Sequence, residues 1–125
     1  MKTILVPISL GELYDKVSIL EIKNELIKDP IKLINITKEL AKLLKVFVKF
    51  PIDYDLYNKL KYINLDIWHA ENEIRIKQKE QIFDKDFITY ARKAHERNDE
   101  RSEIKRQINL KFGSNIIEEK HYKKY

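Results

Sequence analysis

The stretch "FITYARKAHERNDERSEIKRQINLKF", residues 87–112, decides the fold. Read every three or four residues, it gives Phe87, Ala91, Ala94, Asn98, Arg101, Lys105, Ile108 and Phe112. That spacing is one face of an α-helix. Both ends of the face are apolar or small, and the middle is polar for three consecutive steps. Asp84 or Asp86 can cap the start, and Gly113 can cap the end. The pattern therefore predicts a helix reaching Phe112, with "RND" at 97–99 as the point where a break would fall. In an unbroken helix Asn98, Arg101 and Lys105 face inward. Buried cations need partners, because an unpaired one costs several kcal/mol.

Upstream, three more helical patterns supply the frame. Ser9 followed by Glu12 is the signature of a capping box. Leu10, Leu13, Val17, Leu20 and Ile27 follow at helical spacing, and Ile19, Ile22 and Leu26 widen the face. This helix runs from about Leu10 to Lys28, where Asp29 and Pro30 end it. Leu33, Ile36, Leu40, Leu43, Phe47 and Phe50 form a strict seam over Ile31 to Phe50, and Pro51 stops it. Asp53 or Asp55 caps a third helix carrying Leu56, Leu60, Ile63, Ile67, Ala70 and Ile74, with room to continue to Ile82. Short connections make neighbouring helices antiparallel. The expected fold is all-α: an antiparallel bundle of about four helices in one domain, residues 1–125. A short extended arm ending at Pro7 precedes it. "MKTILVPISLGE", residues 1–12, lacks the features of a signal peptide and reads as part of the fold. The tail "SNIIEEKHYKKY", residues 114–125, is expected to dock or to add a short helix.

Composition agrees. With 125 residues, 43% of them hydrophobic, the chain can bury a real core. Two Gly, three Pro and a 36% charged fraction leave little for turns and favour long helices. There is no Cys, which excludes disulfides, thiolate metal sites and a Cys nucleophile. A reducing cytoplasm is the expected compartment. No apolar run is long enough to span a membrane. The net charge of +5 invites a nucleic-acid reading, but the excess is dispersed. Residues 1–50 hold nine bases and six acids, 51–83 five and six, and 84–125 eleven and eight. A phosphate-backbone binder concentrates its charge on one face, so no specific nucleic-acid partner is expected.

The base usage says more. The chain has twenty Lys and five Arg, and all five Arg lie between residues 75 and 106. Where Lys is the default, an Arg stands out for the planar fork that Lys cannot copy. Partners for the inward cations come from two blocks. "GELYDKVSILEIK", residues 11–23, offers Glu12, Asp15, Lys16 and Glu21, with Glu21 expected near Arg101. "WHAENEIR", residues 68–75, offers Trp68, Glu71 and Arg75. With Asn98, Arg101 and Lys105 these ten form the candidate ligand-binding set. Arg and Lys would hold a phosphate or carboxylate. Asn98 and the acids would bind hydroxyl or amino groups, and Trp68 or Tyr14 would stack.

The leading functional reading is a binding or accessory module whose polar intra-bundle pocket takes a small anionic metabolite, a sugar phosphate or a nucleotide. One alternative is a structural interaction module in which ion pairs only set helix register. Another is a Mg²⁺-dependent hydrolase. Glu12 and Asp15, at i and i+3, resemble half the acidic motif of all-helical nucleotide pyrophosphatases. Against it, Lys16, Arg75 and Lys105 would oppose a cation, and Glu71 and Glu73 point to different faces. His69, His95 and His121 have no metal-ligand spacing. There is no Gly-rich phosphate loop and no nucleophile elbow. No metal, cofactor or catalytic residue is nominated, and the strict seams lead us to expect a homodimer.

The blocks 11–23, "NDERSEIKRQIN" at 98–109 and "IIEEKHYKKY" at 116–125 resemble a small family of uncharacterised bacterial and phage proteins of similar length. The resemblance implies that these polar blocks belong together. It assigns no role to any residue.

Overall fold

A computed structural model describes residues 2–124, so Met1 and Tyr125, the two ends of the expected domain, lie outside the described residues. Four helices follow one another: α1 Leu10–Leu26, α2 Pro30–Phe47, α3 Tyr54–Glu80 and α4 Lys85–Lys111. There is no strand among the described residues.

Side-chain caps start each helix. The Ser9 hydroxyl accepts from the Glu12 amide at 3.1 Å, and Asp29, Asp53 and Asp84 do the same for α2, α3 and α4. α1 stops at Leu26, short of Lys28, because Ile27 is already extended (φ −80°, ψ 132°) ahead of the Asp29–Pro30 step. α2 begins on Pro30, whose fixed φ suits a first helical position. It ends at Phe47, and Phe50 is left 46% exposed. α4 is continuous through Asn98. Its end is a Schellman turn: Gly113 takes φ +64°, and the Ser114 amide reaches back to the Asn109 carbonyl at 2.8 Å. The first residues form the expected extended arm. Beyond Ser114 the tail adds no helix among the described residues.

α1 is the centre of the molecule. α3 and α4 make an antiparallel hairpin, and α1 packs against both of its helices and against α2. The α2 backbone approaches α1 only. The layers are therefore α2, then α1, then the α3–α4 hairpin. This explains why α1 reads as two apolar stripes with polar residues between them: it is covered on more than one side. Leu13, Tyr14, Val17, Phe47, Tyr57, Leu60 and Ile108 form the apolar centre. The Tyr14 ring meets Phe47 edge-on at 5.1 Å between centroids. Its hydroxyl donates to the Pro51 carbonyl at 2.7 Å and accepts from the Asp53 amide at 3.0 Å, pinning the α2–α3 connection. Tyr14 is fully buried, so it cannot stack on a ligand as the sequence suggested.

The hairpin outruns α1. Each of its helices has 27 residues against 17 in α1, about 40 Å against about 25 Å at 1.5 Å per residue. The buried residues sit at one end: Tyr57, Leu60, Ile63 and Asn64 on α3, and Lys105, Ile108 and Asn109 on α4, with Ala70 alone further out. The distal half of the hairpin stands clear of α1.

Candidate functional site

Every residue of the predicted α4 face is at least half-buried, from Phe87 through Asn98, Arg101 and Lys105 to Phe112. Where α1 crosses this face, polar side chains meet. The Lys105 ammonium lies 2.6 Å from Glu12, 3.3 Å from Glu118 and 3.8 Å from Asp15. Lys105 is 9% exposed and Asp15 6%. Burial alone would push the Lys105 pKa down. The hydrogen bond to Glu12 and the charges of Asp15, Glu12 and Glu118 outweigh it, and the value lies above the ordinary lysine range. For Glu12, burial pushes the pKa up, but the Lys105 hydrogen bond and charge prevail and hold the carboxyl below its ordinary value. Its carboxylate is thus turned toward α4, leaving the capping box with only the Ser9 half.

Asn64 of α3 carries the contacts onward. Its Nδ2 donates to Asp15 Oδ1 at 2.7 Å and to Ser18 Oγ at 2.8 Å. Its Oδ1 accepts from Arg101 Nη1 at 3.2 Å. Arg101 Nη2 also donates to Asn98 Oδ1 at 2.5 Å. The amide is oriented by chemistry: its donor end faces a carboxylate, its acceptor end a guanidinium. Ser18 completes the set by donating to the Asp15 carbonyl at 2.8 Å.

The close crossing depends on a glycine. A Cβ at Gly11 would sit 2.5 Å from the Lys105 carbonyl oxygen and 3.0 Å from Asn109 Oδ1. Without one, the Gly11 amide reaches Asn109 Oδ1 at 2.7 Å, and Asn109 is 2% exposed.

The C-terminal tail closes this region. Glu118 accepts from the Ser9 hydroxyl at 3.3 Å as well as pairing with Lys105. Glu119 pairs with Arg106 at 3.0 Å, and the Ser114 hydroxyl accepts from the Leu10 amide at 3.3 Å. Further on, Tyr122 and Lys123 flank a groove of about 880 Å³ against α4, whose wall includes Arg92, His95, Asn98 and Asp99.

Of the ten residues predicted from sequence, five come together: Glu12, Asp15, Asn98, Arg101 and Lys105. Lys16 sits at the rim, half-exposed and 3.7 Å from Glu12. Glu21 does not pair with Arg101. It accepts a hydrogen bond from the Tyr57 hydroxyl and pairs with Lys61 at 3.4 Å, because α1 has by then moved toward the start of α3. Glu71 and Arg75 pair loosely with each other at 3.9 Å, and the Arg75 side chain is 80% exposed. They lie about 10 and 16 Å beyond Asn64 along α3, past the crossing. Trp68 is half-buried on the same stretch and is not part of the groove wall. Sequence reading missed Ser9, Gly11, Ser18, Asn64, Asn109 and Glu118. Two signals were available. Asn64 lies beside the apolar seam, one turn after Leu60 and next to Ile63, and Gly11, one of two glycines, sits in a first helical turn.

Among the described residues no group of three or more acidic or imidazole side chains is placed to hold a metal ion. Glu12, Asp15 and Glu118 converge instead on an ammonium. No helix of the described residues is long and apolar enough to cross a membrane.

The fold and these contacts define an all-α helical domain. The chain belongs to the family described as Family of unknown function (DUF6165), whose model matches residues 4–125. No curated protein and no solved structure matches the chain.

Proposed function

We propose that the chain is a single-domain binding module for a small anionic metabolite, a sugar phosphate or a nucleotide, with Arg101 as the anchor. The observation that carries this reading is the charge balance at Arg101. Arg75, Arg97 and Arg106 each reach a carboxylate, at 3.9, 2.9 and 3.0 Å. Among the described residues Arg101, half-buried, is held by the amide oxygens of Asn64 and Asn98 and by no carboxylate. The three carboxylates of the cluster, Glu12, Asp15 and Glu118, converge on Lys105, so the cluster is polarised, negative at one end and positive at Arg101. An orienting amide shell that leaves the charge unneutralised suits an incoming phosphate or carboxylate, which can take two parallel N–H donors.

The test is a thermal-shift and calorimetry screen over phosphorylated metabolites with the native chain and Arg101→Ala. A stabilising ligand whose effect disappears in Arg101→Ala supports the reading. A ligand that binds both proteins equally removes Arg101 from it. Specific nucleic-acid binding is not part of the proposal, given the dispersed charge. Self-association is: Ile31, Ile34 and Val48 of the α2 layer are 74%, 68% and 68% exposed. Sedimentation should show a dimer, and a monomer throughout the micromolar range would end that part of the proposal.

A further inference from the structure

We propose that the ligand enters through the groove between α4 and the C-terminal tail, and that the tail is part of the binding site. The class of ligand is a phosphate monoester carrying a flat ring, as in a mononucleotide. This rests on the reading of Arg101 as an anion anchor and extends it to a place and a chemistry.

Asn98 joins the two features. Its Oδ1 accepts from Arg101 at 2.5 Å, while the residue also lines the groove. Its Nδ2 has no protein partner among the described residues and is left to donate. The groove wall is balanced, with Arg92 and Lys123 against Glu96 and Asp99. Arg101, one turn from Asn98, tips that balance toward an anion. The two carboxylates suit the hydroxyl and amino donors of a sugar or a base. Among the described residues Arg92 is the other arginine that reaches no carboxylate; it lines the groove, and Arg101 adjoins the groove through Asn98.

The tail is placed by charge. Glu118 is fixed by Lys105 and Ser9, and Glu119 by Arg106, which sets the non-helical tail running back along α4. Four residues past Glu118, Tyr122 reaches the groove and is 64% exposed. An open aromatic face beside cations can stack a planar ring. Glu118 is then a positioning residue: it touches no ligand but decides where Tyr122 and Lys123 lie.

Two probes separate the parts, AMP and ribose 5-phosphate, measured by calorimetry on the native chain, Arg92→Ala, Tyr122→Ala, Glu118→Gln and Arg101→Ala. The native chain should bind AMP more tightly than ribose 5-phosphate. Tyr122→Ala should weaken AMP by roughly tenfold, the scale of one base on one aromatic ring, and leave ribose 5-phosphate nearly unchanged. Glu118→Gln should reproduce the Tyr122→Ala loss of preference although its side chain lies outside the groove. Arg92→Ala should weaken both probes. Tyr122 and Arg92 are exposed, so these variants should fold, which circular dichroism checks. Binding that needs Arg101 but ignores Arg92, Tyr122 and Glu118 would overturn this inference and leave the anchor reading standing. Equal affinity of the native chain for the two probes would overturn the ring. No binding of either probe to the native chain would overturn the inference whatever else Arg101 holds.

Discussion

Two clusters meet α1, and they hold it by different physics. The apolar one, around Tyr14, Phe47, Tyr57 and Leu60, works by excluding water and by close packing. It is non-directional, and residues of similar volume can substitute for one another. The polar one, around Lys105, Asp15, Asn64 and Arg101, works only if each donor meets its acceptor. Shifting α1 by one turn, about 5.4 Å, would leave the apolar cluster apolar. The same shift would strip Asp15 from Lys105 and Asn64. The apolar cluster thus provides most of the driving force, and the polar one selects the register. The second role has a cost, because desolvating charges offsets much of what their attraction returns.

The sharpest way to break this contrast is Lys105→Ala. It leaves Asp15 and Glu12 partly or fully buried without their ammonium, and urea denaturation should show a loss of roughly 3–5 kcal/mol. A loss within about 0.5 kcal/mol, the size of an ordinary surface change, would mean the carboxylates find water instead.

A matched pair of substitutions sharpens it. Leu60 and Asn64 are one turn apart on α3, and both are buried, at 0% and 4% exposure. Leu60→Met keeps volume and should cost less than about 1.5 kcal/mol. Asn64→Leu keeps size but leaves Arg101 and Asp15 short of a partner, and should cost about 1–3 kcal/mol. If Leu60→Met costs more than Asn64→Leu, the division of roles given above is wrong.

Gly11→Ala tests the crossing itself. The new methyl meets backbone, the Lys105 carbonyl, which cannot rotate away. An overpacking cost of about 1–3 kcal/mol is expected in denaturation, with α1 displaced from α4. An unchanged stability would show that the helices separate without penalty.

Of the two clusters, the polar one should carry the acid-side pH dependence, since in the apolar one burial raises the Tyr14 hydroxyl, which titrates only at alkaline pH. Glu12 is held below its ordinary value of 4.5, so its contribution is complete above that pH and is lost as pH falls through the lowered value. Lys105 is held above its ordinary 10.5, so its contribution is complete below that pH and is lost as pH rises through the raised value. Stability should be flat with respect to this pair between those limits. In Lys105→Met the acid-side loss attributable to Glu12 should shrink, which a denaturation series against pH measures. The smallest effect is the control: Lys42→Ala on the exposed side of α2 should shift stability by no more than about 0.5 kcal/mol.

What the chain's residues declare by themselves is periodic. The four helices, their Asp and Ser caps, the Gly113 stop and the inward phase of α4 all follow from spacing, because a helix repeats every 3.6 residues and its ends need specific side chains. Neither Glu71 nor Arg75 could be told from Glu12 or Asp15 on that basis, since all four flank apolar stripes. Partnership depends on where one helix crosses another, and no local repeat encodes that. Here the crossing is set by Gly11 against the Lys105 carbonyl and by the short length of α1, which cannot reach the distal hairpin. The same crossing turns Glu21 toward Tyr57 and Lys61, and brings Glu118, a tail residue 106 positions after Glu12, to the same ammonium. Periodicity determines which face of a helix is buried. Only the packing of the helices decides which buried charges meet, because that depends on distances between segments far apart in the chain.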